Sequence, residues 1–199
     1  MAEITAQAVN EFRKATGLGL MECKALLQEA GGDMKKALTL AQERGRTKAA
    51  GRSGRATTAG RIETYIHHNG MQGALIELNC ETDFVARNEE FKQLAKDLAL
   101  HIMAANPLYV RREDVPEDVV AEQKRIFLAQ VADKPQNIQA KIVEGKLNAW
   151  YAEAVLLDQK FVKDETKSIR DVILAVNSRT GENISVARFA RFVVGSPSH

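Results

Sequence analysis

Residues 61–80 read RIETYIHHNGMQGALIELNC, and here the spacing of apolar residues changes from helical to alternating. In RIETYIHHN, Ile62, Thr64 and Ile66 fall on one side, with Glu63, Tyr65 and His67 on the other. In GALIELNC, Ala74, Ile76, Leu78 and Cys80 alternate with Leu75, Glu77 and Asn79. Between them sits Asn69-Gly70, a pair whose residues both accept positive φ and so favour a tight hairpin turn. The stretch predicts a β-hairpin with one covered face.

Towards the N-terminus the pattern is helical. Ala8, Val9, Phe12 and Ala15 share one helical face, and so do Leu20, Cys23, Leu27 and Ala30. Thr16-Gly17-Leu18-Gly19 and Gly31-Gly32 interrupt the pattern, as glycines at helix C-caps do. Asp33 is an N-cap for a third helix carrying Met34, Ala37, Leu38 and Ala41, with Gly45 expected to end it. Residues 1–44 therefore predict a small three-helix head. Residues 45–60, within GRTKAAGRSGRATTAGR, carry basic and small residues and no acid. They read as a mobile linker kept soluble by charge, with a nucleic-acid arm as the alternative. The stretch contains no aromatic for base stacking.

Beyond the hairpin, Asn88 is a cap, with Glu89 and Glu90 where the helix dipole favours acids. Phe91, Leu94, Ala95, Leu98, Ile102 and Ala105 then make one apolar stripe, which Pro107 closes. Further helices are expected from Pro116 to about Ala132, over Pro135–Val143 and Lys146–Leu157 with Gly145 between, and over Ser168–Ser178. Phe161-Val162 reads as an extended piece and NISVARFARFVV as a closing strand. Strands and helices are segregated, so the fold class is α+β: head 1–44, linker 45–60, core 61–195 and a frayed tail 196–199.

The totals exclude several classes. With 199 residues, 45% hydrophobic and 27% charged, the chain is neither disordered nor collagen-like. A net charge of +2 does not by itself imply a nucleic-acid partner. No apolar run reaches the roughly 20 residues that a membrane span needs. Cys23 and Cys80 stand far apart and outside any CxxC motif, which suits buried, reduced thiols in the cytoplasm. No phosphate-binding glycine loop, nucleophile elbow or zinc-protease motif is present. His67-His68 do not make a metal site if they alternate along a strand, and His101 sits mid-helix among apolar neighbours. No catalytic residue, metal ligand or cofactor is expected, and the protein reads as a binding protein rather than an enzyme. Two turns carry more apolar residues than turns need: Thr16–Met21 (TGLGLM), with Leu18, Leu20 and Met21, and Thr82–Val85 (TDFV). For the second, Phe84 tucked beneath the hairpin with Thr82 or Asp83 as a cap is an equal alternative to a binding role.

FRKATGLGLMECKALLQEAGGDMKKAL and ELNCETDFVARNEEF resemble the two signatures of the bacterial elongation factor Ts family, in the same order. FVKDE and GENISVARFARF resemble further segments of it, so the likeness runs nearly end to end. The resemblance is to the short, single-core branch. It implies an exchange factor for elongation factor Tu, in its GDP-bound and nucleotide-free states. Thr82, Asp83, Phe84 and Val85 would insert near the GTPase's magnesium, while the ubiquitin-associated-like head docks Leu18, Leu20 and Met21 on the nucleotide-binding domain. It also implies a homodimer, with no direct nucleic-acid or membrane partner. Some short members carry a cysteine in the last strand that links the dimer. This chain has Ala190 there, so its pairing would be noncovalent. Other classes are an RNA binder using the basic linker and an adaptor using the head.

Overall fold

The structure, a computed structural model, describes residues 4–52 and 54–196. The expected tail beyond Ser196 lies outside the described residues. The fold is mixed, with helices and strands segregated as the sequence implies: three helices, a hairpin, further helices, then a closing strand. By its contacts the chain divides into two compact units.

The first unit comprises Met1–Gly60, Asn79–Phe91 and Ile173–Ser185. Its head contains α1 (Ala6–Thr16), α2 (Leu20–Glu29) and α3 (Met34–Ala50). Thr5 caps α1, and the Asp33 carboxylate accepts from the amides of Lys35 and Lys36 at the start of α3. Those bonds, that to Lys36 first, hold the Asp33 carboxyl below its ordinary range. Val9, Phe12, Cys23, Leu26, Leu27 and Ala37 form the head's core, with Ile4, Leu18 and Leu40 at its margin.

Gly45 does not stop α3, which runs on to Ala50. This glycine is buried, and a Cβ there would stand 3.1 Å from Ser178 Oγ and 4.0 Å from Leu174 Cγ. It is a close-approach residue rather than a terminator. Just before it Arg44 pairs with Glu29, and the basic stretch that follows is also bonded: Lys48 pairs with Glu22 at 2.6 Å and Arg55 with Glu81 at 3.4 Å, and Arg52 donates to the Asn177 carbonyl.

The second unit comprises Arg61–Leu78, Lys92–Val172 and Val186–His199. Its sheet has the order β1-β2-β5, formed by β1 (Ala59–Ile66), β2 (Gln72–Cys80) and β5 (Ser185–Val193). On β2 the alternation is as expected: Ala74, Ile76, Leu78 and Cys80 are buried, and Leu75 is exposed. The hairpin connection differs from a two-residue turn. His67 accepts from the Gly70 amide and donates its own amide to Gln72, and only Gly70 has positive φ. A turn over His67–Gly70 with one left-handed glycine needs only one residue at positive φ. Because β1 ends at Ile66, the strand alternation expected for His67 and His68 does not apply, and their rings lie 4.1 Å apart in the turn. Among the described residues no group of three or more His, Cys, Asp or Glu is placed to hold a metal ion.

The outer face of this sheet stays open. Ile62 and Ile66 on β1, Leu75 on β2 and Phe192 on β5 are all exposed, with Val194 and Met71 beyond the strand ends. On β5, Arg188 pairs with Glu77 at 2.7 Å, while Arg191 reaches the Met103 carbonyl and Gln72 Oε1.

Helix α5 (Glu89–Ala105) buries Phe91, Leu94, Ala95, Leu98, Ala99 and Ile102. Helix α6 (Glu117–Ala129) packs on α7 (Gln136–Ala154), which passes unbroken through Gly145. An interior glycine costs only about 1 kcal/mol against alanine, too little to divide a helix whose flanks favour it. The extended piece expected at Phe161-Val162 belongs to a small hairpin, β3 (Lys160–Phe161) with β4 (Asp164–Ser168). His101 is buried, as expected of a structural histidine. Its Nδ1 accepts from the Val162 amide, its Nε2 meets Gln159 Oε1 at 2.9 Å, and Gln159 donates onward to the Glu153 and Ala105 carbonyls.

Candidate functional site

The TDFV segment is not a plain turn. It opens α4 (Asp83–Arg87), a single helical turn capped by Thr82. Thr82 is extended at φ −127°, and its Oγ1 accepts from the Val85 amide. A β-strand thus becomes a helix within two residues, and the Thr hydroxyl covers one amide that the first turn leaves without a partner.

Thr82 is also clasped from far along the chain. After α8 (Ile169–Thr180) and the left-handed Gly181, Glu182 turns its carboxylate onto the segment. It accepts from the amides of Glu81 and Thr82, both at 3.1 Å, and from Thr82 Oγ1 at 2.5 Å. Glu81 answers by accepting from the Asn183 amide at 2.7 Å, and Asn183 Nδ2 donates to the Arg55 carbonyl. Beneath this exchange Cys80 is fully buried, with its thiol directed at the Thr82 carbonyl at 3.1 Å. Burial, and secondly the Glu182 charge, push that thiol up to about 11, so it stays protonated at neutral pH.

Phe84 does not tuck under the hairpin: it is 83% exposed, while Val85 is half-buried. Asp83 lies in the first turn and pairs with Arg87 one turn on at 2.9 Å, both side chains being well exposed. The fold therefore holds the backbone of this turn firmly and spends none of the Phe84 ring on its own core.

The second over-decorated turn belongs to the same unit. Gly17 takes φ +71° and its amide closes α1 onto the Arg13 carbonyl. Thr16 Oγ1 donates to the Phe12 carbonyl, and Cys23 Sγ lies 3.6 Å from the Leu18 carbonyl. The structure separates the three apolar residues here. Leu18 packs against the head's core, whereas Leu20 is 49% and Met21 75% exposed. The residues that sequence reasoning missed are Glu182, Asn183 and Arg179. They fall in an ordinary-looking helix-to-strand corner, and no local pattern marks their distant partners.

Comparison with known proteins decides the family. The family profile described as Elongation factor TS matches residues 39–196. The chain belongs to the elongation factor Ts family. Among its relatives, Elongation factor Ts of Thermotoga petrophila is 48% identical over 193 residues, which are 97% of each chain. That of Geobacter sulfurreducens is 49% identical over 96% of this chain and 90% of its own. That of Fervidobacterium nodosum is 48% identical over 97% of this chain and 99% of its own. Family membership accounts for the mixed fold and for the two signatures on which the sequence reading rested. Among the described residues no helix is long and apolar enough to cross a membrane.

Proposed function

We propose that this protein is a cytoplasmic guanine nucleotide exchange factor for elongation factor Tu, acting by binding rather than by any covalent step. The observation that carries the reading is Phe84, an exposed aromatic on a turn whose backbone is capped and clasped. Leaving a Phe in water forgoes about 1.5–3 kcal/mol of burial energy, which a partner's pocket can recover. In this reading Thr82–Val85 enter the GTPase near its magnesium. Phe84 acts as a wedge, Asp83 competes for polar partners around the ion, and Thr82 and Val85 set their direction. Magnesium is the GTPase's own cofactor; this chain needs none.

Exchange then follows from linkage. A factor that binds the empty GTPase more tightly than the loaded one weakens nucleotide binding by the same ratio. A weakening of 10²–10⁴ requires roughly 3–5.5 kcal/mol of differential binding. One aromatic anchor at ~2 kcal/mol or somewhat more falls short. The head, residues 1–44, supplies the second contact on the nucleotide-binding domain. Leu20 and Met21 are its exposed anchors, and Leu18 supports them from the core side. Residues 45–60 connect it to the GTPase-binding and dimerisation core, 61–195. The ion pairs along that connection support a chain that makes no direct nucleic-acid contact, since Lys48 and Arg55 already have carboxylate partners. The open apolar sheet face supports a noncovalent homodimer.

The test is stopped-flow release of a fluorescent GDP analogue from elongation factor Tu. The wild-type protein should accelerate release strongly. Phe84→Ala should lose at least tenfold of that acceleration while keeping its fold, because an exposed ring contributes little to stability. Wild-type acceleration by the variant would sink the wedge.

A further inference from the structure

The C-terminal turn of α8 carries a set of contacts that the proposed function does not use. Arg179 lies across the head's glycine turn. Its Cδ sits 2.4 Å from where a Cβ on Gly17 would be, so the arginine stem occupies space that only a glycine leaves open. Its guanidinium pairs with Glu90 in the first turn of α5, directly after α4. A single side chain therefore touches the turn beside Leu20 and Met21 and the helix that follows Phe84. Its two neighbours work in the same direction. Ser178 meets the buried Gly45 of α3, and the Asn177 carbonyl accepts from Arg52 at 3.3 Å. All of these residues fall within the first compact unit.

We propose that Arg179 is a positioning residue that fixes the spacing between the two partner-contacting surfaces, the Leu20–Met21 turn and the Phe84 turn. The inference rests on the reading that both surfaces touch the GTPase. Its physical content is preorganisation. Two contacts presented at a fixed separation meet the partner without a further ordering cost. The same two contacts joined only by a connecting chain act at an effective concentration set by that chain's reach. Arg179 is suited to this role because its long stem packs along backbone while its planar head holds one carboxylate.

The experiment is GDP release from elongation factor Tu titrated with the full-length protein, comparing the parent with Arg179→Ala, Leu20→Ala, Phe84→Ala and the double variant Arg179→Ala/Leu20→Ala. Arg179→Ala should raise the concentration for half-maximal acceleration about tenfold, as loss of effective concentration predicts. The factor lost on Leu20→Ala should be smaller in the Arg179→Ala background than in the parent. A general loss of folded protein would leave that factor unchanged. Arg179→Lys, which keeps a cation within reach of Glu90, should recover part of the loss. If Arg179→Ala unfolds the head, seen as lost helical ellipticity, Glu90→Gln carries the test instead and should shift the titration in the same direction. Parent-like titration by Arg179→Ala, or an equal Leu20→Ala factor in both backgrounds, overturns the positioning role while leaving the functional reading intact. Unchanged release with both Phe84→Ala and Leu20→Ala overturns the functional reading and this inference together.

Discussion

Removing the Glu182 carboxylate tests how the Phe84 turn is held. In Glu182→Ala three hydrogen bonds disappear, from the amides of Glu81 and Thr82 and from the Thr82 hydroxyl. Each bond to a charged acceptor is worth about 1.5–3 kcal/mol net when buried. Thr82 is exposed, so water takes over much of what the carboxylate gave. The total should therefore fall near the value of one such bond, about 2 kcal/mol, and not near the sum of three. For a chain of this size that lowers the melting temperature by about 4–8 °C. The local effect should exceed the global one. Amide exchange in a peptide spanning residues 79–88 should quicken at least tenfold, while the stripe of α5 from Leu94 to Ile102 keeps the wild-type rate relative to global stability. Glu182→Gln retains an acceptor for the amides and should fall between the two. Wild-type exchange over 79–88 in Glu182→Ala would show that Thr82 and Cys80 hold the turn unaided, and the clasp argument would be wrong.

Two further outcomes follow from the second unit. Burial lowers the affinity of His101 for a proton below its ordinary value, with the Gln159 bond opposing in part. The unfolded chain therefore takes up a proton that the folded chain refuses. Stability contributed by the neutral ring is complete above the unfolded pKa of about 6.5 and declines below it, by up to about 1.4 kcal/mol per pH unit, until the folded pKa is reached. Urea unfolding of the protein and of His101→Gln between pH 7.5 and 5 checks this, and parallel curves would refute it. On the open sheet face, Phe192→Lys should convert a dimer into monomers in sedimentation equilibrium without loss of secondary structure, since Phe192 is 68% exposed within one chain. A dimer that persists in the variant would move the interface elsewhere.

The hairpin was legible because β2 alternates strictly and one face of it is buried, so period and burial give the same answer. The caps at Asp33, Thr82 and Asn88 were legible for a similar reason, each being an oxygen bonded within three residues of itself. Glycines were the main source of error. Gly45 and Gly145 read as helix stops, yet the first makes room for Ser178 and the second meets nothing within 4 Å. A glycine's local meaning depends on what approaches it, and that is a property of the packed chain. The basic stretch from Gly45 shows the same dependence on distant residues. Two of its cations, Lys48 and Arg55, look unpaired in sequence because their partners, Glu22 and Glu81, each stand 26 residues away. At the candidate site, a cap at Thr82 or Asp83 could be read, though not which of the two it is. The outward direction of Phe84 and the grip of Glu182 could not, because neither leaves a trace within a local window.

That grip has a consequence for synthesis. Glu182 follows Thr82 by 100 positions. At translation rates of about 5–20 residues per second, roughly 5–20 s pass between the two. The head closes within a local stretch and can fold in that interval. The strand end at Cys80 and the backbone at Thr82 cannot be secured until the corner after α8 has emerged. For those seconds a growing chain displays a greasy, unclasped turn beside a reduced thiol, the moment at which a nascent-chain chaperone would find most to hold.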